Sequence, residues 1–176
     1  SDAYVYSYAG GSFGEFDIGP AFTAGPVIVT PMIGINFNWT SQKTNAIVPQ
    51  LYVVGGSGPI YFEWWNQLFI QKPFEDTFNL GLNYLYMRAF ATYNVTEDFG
   101  IGPEIDAWIS LDKELTGDET LYHLPVGGVA KLNYGEGNTF FGFLGYETQT
   151  IGKELAVPAG SGDRALIGRL TFVKNW

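Results

Sequence analysis

The sequence predicts an all-β protein, an antiparallel up-and-down transmembrane β-barrel of about 10 strands, in a range of about 8–12. Three observations predict it. Apolar and polar residues alternate over long segments, short and longer turns alternate between these segments, and only 15% of the 176 residues are charged. Soluble strands usually span about 5–6 residues, whereas a tilted crossing of a bilayer needs about 9–11. The length of the apolar faces therefore favours a membrane barrel.

The clearest alternation lies in residues 99–112, FGIGPEIDAWISLD. Successive side chains of a strand point to opposite faces, so each parity occupies one face. The apolar parity consists of Phe99, Ile101, Pro103, Ile105, Ala107, Ile109 and Leu111. The opposite parity consists of Gly100, Gly102, Glu104, Asp106, Trp108, Ser110 and Asp112. This segment is a ribbon with one face suited to lipid and one suited to a polar interior.

The same alternation recurs along the chain and predicts a single barrel domain over residues 1–176. The clear strands are 15–24, 27–39, 59–71, 99–112 and 122–134, and the weaker ones are 3–9, 46–55, 82–95, 138–149 and 164–175. In the segment 82–95, an outward Leu85 and Met87 place Tyr86 and Arg88 inside. The sequence thus predicts an even number of strands.

Prolines lie inside several predicted strands: Pro20, Pro31, Pro49, Pro103 and Pro125. Proline has no N–H to donate to a β-ladder. Each of these positions therefore predicts a bulge or a lost ladder bond.

The predicted connections form two sets. The short links are TAGP, GGSGP, TED and YGEGN, and the longer links are GGSFGE, TSQKTNA, QKPFEDTFNLG, DKELTGDETL and IGKELAVPAGSGD. The two sets alternate along the chain, which places the longer loops at one end of the barrel and both termini at the other. Such asymmetry is typical of bacterial outer-membrane barrels.

Composition excludes several classes of protein. No run approaches 18 consecutive apolar residues, so a transmembrane helix is not expected. The absence of cysteine excludes disulfides and thiolate chemistry, and a formal charge of −9 argues against a nucleic-acid partner. The opening segment SDAYVYSY has no Met, and we expect a mature, processed N-terminus. No cofactor or metal is predicted, because the acidic pairs lack the spacing of a known calcium loop.

The last residues, LIGRLTFVKNW, are similar to the terminal strand signal of small bacterial outer-membrane β-barrel proteins. Trp176 is the aromatic final residue, and Phe172 and Leu170 share its parity, whereas Lys174 departs from the apolar residue usual there. Over nearly its whole length the chain resembles this porin-like class. The resemblance implies a location in the bacterial cell outer membrane, in contact with membrane lipids.

If the apolar parity faces lipid, the other parity lines the lumen. The predicted pore-lining residues are Asp17, Glu63, Arg88, Glu104, Asp106, Lys131 and Arg169. Glu15 shares their face, as do the aromatic side chains Tyr52, Tyr61, Trp65, Tyr84, Tyr86 and Trp108. We expect Arg88 to pair with one or more of Glu63, Glu104 and Asp106, because a lone buried charge costs several kcal/mol.

Two interpretations of this interior remain open. The first is a narrow passive channel for small solutes or cations, since acidic rings favour cations. The second is a structural or ligand-binding barrel whose lumen is plugged by ion pairs, since about 8 strands are just filled by side chains. We expect no enzyme activity. The less favoured alternative is an esterase that uses Ser110 and His123, which a symmetric hairpin places opposite each other with Asp112 close by.

A soluble fold is the remaining alternative. A lipocalin-like barrel or a sandwich could use the same alternation with the apolar faces turned inward. The placement of the apolar parity, inside or outside, separates the two folds.

Overall fold

In the computed structural model, the described residues are 2–8, 11–74, 83–112, 121–135, 137–148 and 166–174. They form twelve β-strands. The strands are β1 (Asp2–Tyr8), β2 (Gly11–Ile18), β3 (Phe22–Ala24), β4 (Val27–Asn38), β5 (Lys43–Ser57), β6 (Ile60–Phe69), β7 (Tyr84–Asn94), β8 (Phe99–Ser110), β9 (Leu121–His123), β10 (Pro125–Tyr134), β11 (Asn138–Glu147) and β12 (Leu166–Lys174). The described residues contain no helix, and therefore no helix long and apolar enough to cross a membrane.

All strands belong to one antiparallel sheet in which neighbours along the chain are neighbours in space. The main path contains ten strands in the order β1-β2-β4-β5-β6-β7-β8-β10-β11-β12, with β3 paired to β4 and β9 paired to β8. This meander confirms the predicted all-β, up-and-down, antiparallel architecture. No pairing between β1 and β12 joins the two ends of the path within the described residues.

The sheet curls into a half-barrel, and side chains from distant strands meet across its concave face. Gln67 on β6 donates a hydrogen bond to Glu15 on β2 at 2.5 Å. Tyr61 on β6 stacks on Phe141 on β11, with ring centroids 6.3 Å apart. A flat sheet would separate these strands by more than a side chain can span.

The polarity of the sheet is inverted relative to a soluble protein. On β8, Ile101 and Ile105 are 50% and 43% exposed on the convex face, whereas Glu104 and Asp106 are 2% and 4% exposed on the concave face. The strand β4 repeats this pattern, with Ile33 and Ile35 exposed and Asn36 buried. The apolar parity lies outside, so the soluble alternative with apolar faces inside does not describe this sheet.

Two predicted strands are each divided in the structure. The segment 15–24 breaks at Gly19 and Pro20 into β2 and β3, and 122–134 breaks at Leu124 into β9 and β10. Glycine and proline both weaken a ladder, which explains the first break, and Pro125 explains the second.

Two links predicted to be long are short. β1 and β2 form a hairpin in which Tyr8 pairs with Gly11, and β4 ends only a few residues before Lys43 begins β5. The residues GSFGE and KTNA therefore belong largely to strands. The longer connections, between β6 and β7, β8 and β9, and β11 and β12, all leave the same end of the sheet.

Two other prolines, Pro49 and Pro103, interrupt ladders without changing the register. The β7–β8 pairing skips Ala91 and Pro103 and resumes in the same register at Tyr93 and Ile101. The β5–β6 ladder likewise ends next to Pro49, beyond which Ile47 and Ile70 form an isolated bridge. These findings confirm the predicted loss of ladder bonds.

Pro31 avoids this loss. A Cβ atom placed on Gly19 would collide with the Pro31 carbonyl oxygen, so that edge of Pro31 faces the break between β2 and β3. In an antiparallel strand the N–H and C=O of a residue point to the same neighbour. The missing N–H of Pro31 therefore faces a gap in the neighbouring strand rather than a ladder partner.

Candidate functional site

The candidate site is the concave polar face, where the seven predicted pore-lining residues lie. They come from six strands: Asp17 (β2), Glu63 (β6), Arg88 (β7), Glu104 and Asp106 (β8), Lys131 (β10) and Arg169 (β12). All are buried except Arg169, whose side chain is 29% exposed. Glu15 is also buried on this face.

Two arginines and two carboxylates form one ion-pair network. Arg88 Nε lies 2.9 Å from Glu104 Oε1, which confirms the predicted pairing of Arg88. Arg169 binds the same Glu104 oxygen through Nη2, and its Nη1 lies 2.5 Å from Asp106 Oδ2. Tyr86 adds its hydroxyl, which accepts a hydrogen bond from Arg169 Nη1 at 3.4 Å. The network joins β7, β8 and β12 across the concave face.

Strand register explains why the β7 and β8 groups meet. Arg88 lies directly opposite Asp106, and Phe90 lies opposite Glu104. Glu104 is therefore the diagonal neighbour of Arg88, a position that a long side chain reaches easily. The alternation predicted this pairing because all three residues have the inward parity.

A second cluster consists of carboxylates bound by amides. Glu15 accepts hydrogen bonds from Asn36 at 3.0 Å and from Gln67 at 2.5 Å. Gln50 donates to Asp17 at 2.5 Å and accepts from the Trp65 indole at 2.6 Å. The sequence interpretation missed these amides, although each has the inward parity of its strand. The two clusters lie on different strands, so the interior has an amide–carboxylate wall and an arginine–carboxylate wall.

Aromatic side chains meet in the interior near the short turns. Tyr61, Phe90 and Phe141 contact one another, and Val129 packs with them. Lys131 Nζ lies 4.1 Å from the centre of the Tyr61 ring, while the Tyr61 hydroxyl hydrogen-bonds to Glu63. Lys131 thus makes a cation–π contact with Tyr61, a type of contact that is worth about 2 kcal/mol or more when desolvated.

The proposed esterase residues have other partners. His123 pairs with Trp108 in the β8–β9 register, so the prediction that it lies opposite Ser110 is wrong. The β8–β9 register is offset on both sides of a shift between Trp108 and Ile109, since Ile109 pairs with Leu121. His123 Nδ1 lies 2.8 Å from Glu147 Oε2, and Ser110 Oγ hydrogen-bonds with the backbone of Asp112.

Asp112 joins the bases of two long connections. Its carboxylate lies 2.5 Å from Lys72 Nζ and accepts a hydrogen bond from the Asn83 backbone at 2.5 Å. Partial burial opposes ionisation of Asp112, but the hydrogen bonds from Lys72 and Asn83 and the charge of Lys72 outweigh it. The pKa of Asp112 is therefore lowered below its ordinary value.

Some buried polar atoms of the ion-pair network have no hydrogen-bond partner among the described residues. They are Glu104 Oε2, Asp106 Oδ1, Arg88 Nη2 and Arg169 Nε, and Thr92 Oγ1 on β7 also lacks a partner among the described residues. Buried polar groups are ordinarily hydrogen-bonded, to protein or to water. These atoms therefore keep hydrogen-bonding capacity that the described side chains do not use.

Within the described residues, no group of three or more His, Asp or Glu side chains is arranged to hold a metal ion. The predicted final aromatic residue, Trp176, lies outside the described residues.

Comparisons with protein-family models, curated proteins and solved structures find no significant match.

Proposed function

We propose that this chain is a transmembrane β-barrel whose convex face contacts lipid. The inverted polarity carries the proposal. Moving an exposed isoleucine out of water is favourable by roughly 1.5–3 kcal/mol, and the convex face exposes many large apolar side chains. In a bilayer the convex face contacts lipid acyl chains, while the charged groups stay on the concave face, away from the hydrocarbon.

Strand length and aromatic placement support the same proposal. The strands β4 and β8 have 12 residues each and β7 has 11, against the roughly 9–11 needed to cross a bilayer. Exposed aromatic side chains lie near both ends of the sheet: Tyr93, Phe99 and Tyr134 by the short turns, and Trp39 and Tyr146 at the other end. Membrane barrels carry such aromatic girdles at the two interfaces.

Membrane residence requires a closed ladder. A sheet edge in hydrocarbon would leave backbone N–H and C=O groups unsatisfied, at several kcal/mol each. The proposal therefore includes pairing of β1 with β12, which the antiparallel order of the ten-strand path permits. Together with the loop asymmetry, this favours the bacterial outer membrane.

For the interior, we propose a narrow, water-containing path for small cations or small uncharged solutes. Carboxylates outnumber basic groups on the concave face. The carboxylates there are Glu15, Asp17, Glu63, Glu104 and Asp106, and the basic residues are Arg88, Lys131 and Arg169. The excess of negative charge favours cations over anions.

A plugged barrel is the second candidate, and the ion-pair network favours it. Arg169 crosses the concave face from β12 to β8, and the Tyr61–Phe141 contact crosses it near the short turns. Such a barrel would act through its loops or as a structural element of the membrane.

Planar lipid bilayers test the proposal. We expect the purified protein to give small conductance steps and, in a KCl gradient, a reversal potential that indicates weak preference for K⁺. Replacing both Glu15→Gln and Asp17→Asn should move the K⁺/Cl⁻ permeability ratio towards one, because the amide wall loses its charge while its shape is kept.

The matched control replaces Glu97→Gln and Asp98→Asn together, which removes the same two charges from an exposed turn. This variant should leave the permeability ratio unchanged. Inserted wild-type protein that carries no current would reject the channel and favour the plugged barrel.

A further inference from the structure

We infer that Arg169 is the constriction of the interior and that it masks the negative charge of Glu104 and Asp106. This inference rests on the proposed function, since it names the residue that limits conductance and cation preference in the same interior. We call the contact of Arg169 with Glu104 and Asp106 the crossbar.

The crossbar spans the concave face rather than following the sheet. β12 and β8 are three steps apart in the strand order, through β10 and β11. At about 4.8 Å per step, they would lie roughly 14 Å apart along a flat sheet. Yet Arg169 Nη1 lies 2.5 Å from Asp106 Oδ2, so the guanidinium bridges the hollow of the curl.

Other contacts fix the guanidinium in this position. Its Cζ atom lies 5.2 Å from the centre of the Phe143 ring on β11, and Nη1 donates to the Tyr86 hydroxyl on β7. A planar guanidinium can bind two carboxylates and rest on an aromatic ring at once, which a lysine ammonium cannot do as well. The crossbar is thus a specific use of arginine.

Exposure shows which group a solute would meet. The Arg169 side chain is 29% exposed, while those of Glu104 and Asp106 are 0% and 6% exposed. Nε and Nη2 of Arg169 are themselves buried, so the guanidinium lies against the carboxylates and other atoms of the side chain form the exposed part of the crossbar. A solute on the open side therefore meets the Arg169 side chain before either carboxylate.

The test measures conductance and permeability ratio for wild type and Arg169→Ala in planar bilayers. Removing the side chain should both widen the path and uncover two carboxylates. We expect a rise in single-channel conductance of roughly two-fold or more, together with stronger preference for K⁺.

Lys131→Met is the matched control, because it removes one interior positive charge outside the crossbar and keeps the length of the side chain. Its ammonium rests on Tyr61, and the cluster of Tyr61, Phe90 and Phe141 remains when it is removed. Lys131→Met should raise K⁺ preference slightly without widening the path. Equal conductance changes in the two variants would overturn the inference.

Arg169→Lys guards against a variant that does not fold. Lysine keeps the charge but holds two carboxylates less well, so conductance should rise less than in Arg169→Ala. Each variant is checked for the same mobility shift between unboiled and boiled samples on SDS gels. A folded Arg169→Lys with wild-type conductance would also overturn the inference.

The outcomes separate this inference from the proposed function. If wild type conducts and Arg169→Ala conducts equally, the crossbar is rejected and the channel stands. If wild type carries no current but Arg169→Ala does, the crossbar is upheld as a plug and the wild-type channel function is rejected. If neither conducts after insertion, both proposals fail.

Discussion

At the scale of single residues, Asp112 shows how a charged contact ties stability to pH. Its folded-state pKa is lowered, so the folded protein holds the ionised form more tightly than the unfolded chain does. This contribution is present above the unfolded pKa, near 3.9, and is lost as pH falls through the lower folded pKa. We expect the free energy of unfolding in detergent micelles to fall in this acidic range.

The variant Asp112→Asn tests this expectation. It should be less stable than wild type at neutral pH, and the difference should shrink as pH falls below about 4, because the wild-type carboxylate is then being protonated. Asp98→Asn, in the exposed β7–β8 turn, is the control and should follow wild type. Parallel curves for wild type and Asp112→Asn would contradict the assigned role.

At this scale, the alternation of residues along the strands predicted some side-chain contacts of the interior and missed others. Arg88 and Glu104 were paired correctly because both have the inward parity and neighbouring strands set their distance. The contact between Arg169 and Asp106 depends on how tightly the sheet curls, which alternation does not encode. The amides of Gln50 and Gln67 have the inward parity too, but uncharged side chains gave no reason to expect that they bind Glu15 and Asp17.

At the scale of elements, β8 offers the clearest test of the two faces. Replacing Ile105 by Arg places a charge on the convex face, where it should cost about 2–4 kcal/mol near the bilayer midplane. Thr96→Arg, in the exposed β7–β8 turn, is the control and should cost much less. Urea unfolding in liposomes measures both, and equal costs would argue against lipid around β8.

Strand positions were largely predictable, whereas their ends were not. Long alternation located the ten strands of the main path, because one face must differ from the other. The boundaries depended on local backbone features that alternation ignores. Residues 11–14 and 43–45 read as polar loops but extend β2 and β5, since a short hairpin needs few residues outside the ladder.

At the scale of the whole molecule, the central claim is that the convex face meets lipid and the concave face does not. Trp64 and Trp65 are neighbours on β6 with opposite orientations. Trp64 is 44% exposed on the convex face, whereas Trp65 is 9% exposed and donates to Gln50 inside. These two side chains compare the faces at nearly the same depth.

The most direct measurement is fluorescence quenching by lipids brominated in their acyl chains. Two variants keep only Trp64 or only Trp65, with the other four of the five tryptophans replaced by Phe. In liposomes, we predict strong quenching of Trp64 and little quenching of Trp65. Two results would contradict the claim. One is equal quenching of both tryptophans by the brominated lipids, and the other is quenching of Trp64 by iodide in the aqueous phase but not by the lipids.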